Sequence, residues 1–219
     1  VKGITIACNT ATVVAARTLR EQTHLPVVAI EPAIKPAVAI TKSGVVGVLA
    51  TRQTVQSESV ARLCALHGAG KRIVLQACPG WVEQVEQADL HSPQTEALLR
   101  QYVEPVLAQG ADTLVLGCTH YPFLRDALQR IAGEGVTLID PAEAVARELV
   151  RRLSEVPLAE AAAVDATLVV SSADFGAKDL QAKPVGEVRF FTSGDVTHVQ
   201  SVVSHLWGEP ASVEPLASA

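Results

Sequence analysis

The chain has 219 residues, 48% of them hydrophobic and 19% charged, with a net charge of −5. That composition excludes a disordered chain, and the acidic balance argues against a nucleic-acid or anionic-membrane partner recognised through bulk charge. The length allows one large domain or two small ones. No methionine occurs, even at position 1, which predicts either an alternative start at Val1 or a missing N-terminal part. No stretch approaches the roughly 20 apolar residues of a transmembrane helix. The opening VKGITIACNTATVV lacks the basic n-region of a signal peptide. Cys8, Cys64, Cys78 and Cys118 form no CxxC pair. This argues against a zinc site and for reduced thiols in a cytoplasmic protein.

Short apolar runs alternate with amphipathic stretches, which predicts β-α units and a parallel sheet. The first strand is expected at Ile4 to Ala7, followed by a helix from about Ala11 to Gln22. Pro26 to Ile30 reads as a strand and Glu31 to Ile40 as a helix, broken at Ser43-Gly44. Val45 to Ala50 is a strand, with Thr51 onward a loop entering a helix from Val55 to His67. Arg72 to Ala77 is a strand ending at Cys78-Pro79-Gly80. Leu98, Leu99, Tyr102, Val103, Val106 and Leu107 have helical spacing within Pro93 to Gln109. Thr113 to Leu116 is a strand, Pro122 to Ile131 a helix, Val136 to Ile139 a strand and Ala142 to Leu153 a helix. Beyond this the pattern loosens. Pro157 to Thr167 is Ala-rich and linker-like, Leu168 to Ser171 and Val188 to Phe191 read as strands, and residues 211–219 read as a frayed tail.

Two segments look like copies of one device: GITIACNT at Gly3 to Thr10 and DTLVLGCTH at Asp112 to His120. Each is an apolar strand, a small residue, a cysteine at the strand's carboxyl end, then hydroxyl or amide residues opening a helix. Ligands of open α/β sheets bind at those carboxyl ends, and a helix N-terminus stabilises a thiolate. Backbone N–H groups of Asn9, Thr10, Thr119 and His120 are placed to cradle a carboxylate. A single cysteine in such a place reads most simply as a buried structural residue; the matched pair is what points to chemistry. Two equivalent thiols suit inversion of a weakly acidic carbon, one removing a proton from one face while the other returns one to the opposite face. A catalytic triad needs one nucleophile, one base and an orienter instead. His120, two residues beyond Cys118, titrates near neutrality. Cys78, followed by proline, and Cys64, next to Leu63, read as framework, and Trp81 and Trp207 lack any pattern marking a ligand platform.

The motifs ACNTA at Ala7 to Ala11 and GCTHYP at Gly117 to Pro122 resemble those of the glutamate racemases, in the cofactor-independent aspartate/glutamate racemase superfamily. GVLATRQT at Gly47 to Thr54, ACPGWVEQVE at Ala77 to Glu86, LIDPA at Leu138 to Ala142 and FFTSGD at Phe190 to Asp195 follow the same series. The resemblance implies two pseudo-symmetric open parallel-sheet α/β domains with the site between them. Residues 1–30 and 140–210 would form the first and 31–139 the second, with 211–219 as a tail. It implies that Cys8 and Cys118 deprotonate opposite enantiomers. Asn9, Thr10 and Thr119 would hold the substrate's carboxylate and amino groups, Thr51 and Thr54 would line the site, and His120 and Glu86 would assist Cys118.

The family's Asp-Ser-Gly and Pro-Tyr-Gly elements do not occur ahead of ACNTA, so the first domain is expected to be incomplete at its N-terminus. The resemblance implies interconversion of L- and D-glutamate for peptidoglycan synthesis. No metal, PLP or flavin is expected, since there is no glycine-rich phosphate loop and no lysine in a Schiff-base motif. Glutamate is the expected partner and a homodimer a further one, with no interface legible in the sequence. The alternatives are a superfamily member acting on aspartate, a hydantoin or maleate, and a truncated non-catalytic remnant.

Overall fold

The computed structural model describes residues 1–68, 70–155, 168–170 and 188–216. Within them the order is β1 (Ile4–Ile6), α1 (Asn9–Gln22), β2 (Val27–Ala29), α2 (Ile34–Ile40), β3 (Val45–Ala50), α3 (Arg52–Val55) and α4 (Glu58–His67). Then come β4 (Arg72–Ala77), α5 (Trp81–Glu86), α6 (Pro93–Leu107), β5 (Thr113–Leu116), a 3₁₀ turn (Tyr121–Leu124), α7 (Arg125–Ala132), β6 (Thr137–Ile139) and α8 (Ala142–Ser154). β7 (Leu168–Val170), β8 (Val188–Thr192), α9 (Val196–Trp207) and β9 (Val213–Pro215) complete it. The linker expected at Pro157 to Thr167 lies outside the described residues.

The largest sheet has the order β4-β3-β5-β6, with every pair parallel. Its strands are apolar on both sides because both faces are covered, as parallel sheets require. Leu49, Leu114 and Leu116 face Trp81, Val85, Leu99, Val103, Val106 and Leu128, from α5, α6 and α7. Val46, Val48 and Val115 face Ile34, Ala37 and Val60, from α2 and α4. Alternation along each strand thus builds a helix–sheet–helix sandwich.

The chain leaves β3 for β4 on one side and returns to place β5 on the other. The order therefore reverses between β3 and β5, and a crevice opens beyond their carboxyl ends. Thr51 and Cys118 follow those two ends. Asp112, at the start of β5, fixes the opposite end of the layer. It accepts from the Thr41 hydroxyl (2.5 Å), the Ser43 and Lys42 N–H groups (2.7 and 2.8 Å) and the Thr113 hydroxyl (3.0 Å). Burial would raise its carboxyl pKa, but these donors outweigh it and hold the group well below the usual range.

β1 and β2 form a parallel pair in which Ile4 faces Val27, with α8 packed on β2. β7, β8 and β9 form a third parallel sheet, against which the Trp207 ring of α9 meets Phe190 edge-on at 5.4 Å.

Five expectations need correction. Residues 211–219 contain a strand, Val213–Pro215, paired with β8, rather than only a frayed tail. The helix expected from Val55 to His67 is two. Ser57 donates to the Thr54 carbonyl (2.8 Å), closing α3, and its oxygen accepts the Val60 N–H (3.2 Å), capping α4. The helix expected from Glu31 begins only at Ile34, behind a backbone bend at Ala33. Pro122 lies in a 3₁₀ turn that begins at Tyr121, with the α-helix delayed to Arg125. α5 and α9 fall where no helix was assigned. α9 is rich in β-branched valines, which hide it from propensity; the Asp195 carboxylate, accepting the His198 N–H at 2.6 Å, starts it.

Candidate active site

The first thiol device is a helix cap. Cys8 has extended backbone (φ −146°, ψ 119°) and is the N-cap of α1, its sulfur accepting the Ala11 N–H at 3.4 Å. The cap draws the helix start back to Asn9, two residues earlier than the apolar spacing suggests. The N–H groups of Asn9 and Thr10, in the first turn, have no acceptor within the helix. Asn9 is 3% exposed, and neither its side-chain carbonyl nor its amide has a hydrogen-bond partner. A buried amide left unpaired costs about 1–3 kcal/mol, so its environment is built for a polar ligand or water.

Thr10 meets the loop that follows β3. Its hydroxyl lies 3.1 Å from that of Thr51 and 3.3 Å from that of Thr54, and the Thr51 hydroxyl is 3.0 Å from that of Thr54. Thr51 is also the N-cap of α3, accepting the Thr54 N–H at 3.3 Å. The three hydroxyls form a closed triangle joining α1 to α3.

The second device differs from the first. Cys118 is 8% exposed, and the turn after it is 3₁₀ rather than α-helical, so the sulfur has a side chain for a neighbour instead of a helix cap. Cys118 Sγ lies 3.8 Å from His120 Nδ1, and His120 Nε2 lies 3.2 Å from Glu86 Oε1. An ionised carboxylate only accepts hydrogen bonds, so Nε2 carries the ring hydrogen. In the neutral ring Nδ1 then offers its lone pair to the thiol. Burial holds the His120 pKa below the ordinary imidazole value, and the Glu86 carboxylate opposes that shift in part. Thr119, between thiol and imidazole, is 6% exposed.

Close approach of the backbone sets these positions. Gly117 donates to the Leu49 carbonyl at 2.7 Å, and a Cβ there would come within 2.9 Å of that oxygen and 3.0 Å of the Ala50 Cβ. Gly80, at φ +87°, turns the chain out of β4 into α5, the helix that ends on Glu86. Cys78, at the same sheet edge, is 2% exposed and its thiol lies 3.5 Å from the Gln76 carbonyl. Burial pushes that thiol's pKa up, which keeps it a protonated part of the framework. Cys64, on α4, is half-buried beside the α2–α4 layer.

Of the nine residues expected at the site, the structure brings Thr10, Thr51 and Thr54 into one contact and Cys118, His120 and Glu86 into another. Cys8 and Asn9 head the helix that carries Thr10. The contact between Tyr121 and Trp81 escaped the reading from sequence: their rings meet edge-on at 4.8 Å, and both are fully buried. Among the described residues no group of three His, Cys, Asp or Glu side chains is arranged to hold a metal, and no helix is long and apolar enough to cross a membrane.

A parallel α/β fold with one thiol on a helix cap and another beside an imidazole–carboxylate pair is equipped for proton transfer by side chains. Residues 1–149 match the pattern of the Asp/Glu/Hydantoin racemase family, and the chain belongs to that family. Within it the chain groups with the glutamate racemases. It is 44% identical over 213 residues to that of Ectopseudomonas mendocina, covering 97% of this chain and 73% of the relative. It is 44% identical over 227 residues to that of Ralstonia nicotianae, covering 99% and 74%. Two solved structures are similar. Glutamate racemase RacE1 of Bacillus anthracis has a TM-score of 0.77 at 28% identity, covering 99% of this chain and 74% of that one. The Escherichia coli glutamate racemase, solved with L-glutamate and the activator UDP-MurNAc-ala, has a TM-score of 0.75 at 29% identity, covering 98% and 74%.

Proposed function

We propose that this glutamate racemase interconverts L- and D-glutamate by a two-thiol proton transfer, supplying D-glutamate for peptidoglycan synthesis in the cytoplasm. One cysteine, as thiolate, takes the α-proton; the electron pair of the broken C–H bond stays on the α-carbon and spreads into the carboxylate. The other cysteine, as thiol, gives its proton to the opposite face. Cys118 and Cys8 exchange these roles with the direction of reaction. His120 accepts the Cys118 proton at Nδ1 while Glu86 holds the ring through Nε2. Asn9, Thr10, Thr51, Thr54 and Thr119 bind the substrate's carboxylates and ammonium. Residues 1–30 and 140–210 make one half of the enzyme and 31–139 the other.

The observation that carries this reading is the chain from Cys118 Sγ through His120 to Glu86, 3.8 Å and 3.2 Å long; a second cysteine in no disulfide, Cys8, stands at the N-cap of α1. The unpaired Asn9 amide supports a polar ligand beside Cys8. Polarimetry tests the reading: the purified protein is expected to bring either glutamate enantiomer to a racemic mixture and to leave aspartate unchanged. Racemisation of aspartate but not glutamate would assign the protein to another branch of the superfamily.

A further inference from the structure

We propose that Tyr121 is a positioning residue for the Cys118 half of the reaction, its hydroxyl tying the turn that carries Cys118 and His120 to the strand end from which Glu86's helix departs. The inference rests on the two-thiol reading above.

Cys118 and His120 belong to the turn after β5, whereas Glu86 ends α5, the helix after β4. β3, which separates these strands in the sheet, holds both strand ends, through the Cys78 N–H on the Ala50 carbonyl (2.9 Å) and the Gly117 N–H on the Leu49 carbonyl (2.7 Å); beyond Cys78 and Gly117 the two segments run on as separate turns. Tyr121 spans the gap. Its N–H donates to the Cys118 carbonyl at 3.0 Å, and its hydroxyl donates to the Cys78 carbonyl at 3.2 Å, two residues before Gly80 turns the chain into α5. Its ring lies against the edge of Trp81, the first residue of α5, with centroids 4.8 Å apart and planes at 64°. Trp81 is itself anchored, its Nε1–H reaching the Leu98 carbonyl of α6 at 3.4 Å. One residue thus joins the turn of Cys118 and His120, through its backbone, to the start of Glu86's helix, through its side chain.

Both rings are fully buried, so neither touches solvent. Burial also raises the Tyr121 phenol pKa, keeping it a hydrogen-bond donor. A merely apolar role at this position would be met by phenylalanine, which makes the hydroxyl the discriminating group. Reacting groups displaced by about 1 Å lose up to about a hundredfold in rate, so a slackened tie is visible in kcat before it is visible in folding.

The test is Tyr121→Phe, with p-aminophenylalanine at 121 as the variant that restores an N–H donor. For Tyr121→Phe, kcat is expected to fall about tenfold to a hundredfold with KM little changed, and the aminophenylalanine variant is expected to recover most of the rate. The primary isotope effect with α-deuterated glutamate should rise for the enantiomer whose hydrogen Cys118 removes, and not for the other. In [15N]histidine spectra the His120 signal should change from the Nε2–H tautomer to a mixture. Wild-type kcat, isotope effects and His120 signal in folded Tyr121→Phe would overturn the proposal. If that variant does not fold, 3,5-difluorotyrosine at 121 carries the same readouts, because it keeps the ring and changes the hydroxyl as a hydrogen-bond donor. Unchanged readouts there would overturn the proposal equally. Cys118→Ser is the control: wild-type α-proton exchange in that variant would refute the two-thiol reading itself, an outcome distinct from a silent Tyr121→Phe.

Discussion

At the scale of the residue, the two cysteines differ in what their surroundings supply. Cys8 has a backbone N–H donor at 3.4 Å, whereas Cys118 has an imidazole acceptor at 3.8 Å backed by a carboxylate. The proposed Cys118 step therefore depends on a titrating neighbour. Replacing His120 with Asn removes the proposed general base, and kcat is expected to fall about 10²- to 10⁴-fold in polarimetric assays. Because burial holds the His120 pKa below the ordinary value of about 6.5, the ring stays neutral until the pH drops below that value. The acid limb of the pH–rate profile that belongs to His120 should accordingly lie below about 6.5. Glu86 works against the burial shift, so Glu86→Gln should move the limb to still lower pH while reducing kcat. A limb that moves upward would contradict this assignment. The placement of both cysteines beyond strand ends was legible in sequence because each follows an apolar strand within a matching motif. The triangle of Thr10, Thr51 and Thr54 was not, as a contact between residues 41 and 44 positions apart has no local signature. Nor was the Trp81–Tyr121 pair, since a buried aromatic carries nothing in its spacing to name its partner.

At the scale of the element, caps decided where the sequence reading succeeded. β3, β4 and β5 fall where the apolar runs end because flanking polar and glycine residues stop them. Helix boundaries moved wherever a side chain bonded the backbone: Cys8 pulled α1 forward, and Ser57 divided α3 from α4. Asp112 is the strongest case of such local bonding, with four donors converging on one carboxylate. Its pKa is depressed in the folded protein, so its contribution is fully present above the unfolded value of about 3.9 and is lost as the pH falls toward the folded one. Asp112→Asn is expected to lower stability at neutral pH by about 1–3 kcal/mol and to flatten stability against pH in the acid range. Urea unfolding at neutral pH and at about pH 3 checks both. Equal acid sensitivity in the two proteins would show that other carboxylates govern it.

At the scale of the whole molecule, the sheet order β4-β3-β5-β6 brings Thr51 and Cys118 to neighbouring strand ends, and the hydroxyl triangle ties α1, which carries Cys8, to the same loop. Parallel α/β architecture was legible from the alternation of apolar runs and amphipathic stretches. The order of the strands was not, because register between distant strands is set by packing on both faces. The strand Val213–Pro215 was missed because a three-residue edge strand is shorter than any periodicity that would mark it. The account's central claim is that two cysteines handle one proton from opposite faces of the α-carbon, and solvent exchange tests it most directly. In D2O the protein should place deuterium on the α-carbon of glutamate starting from either enantiomer, and Cys8→Ser and Cys118→Ser should each strongly suppress racemisation and that exchange. Exchange at the parent rate in both variants would contradict it.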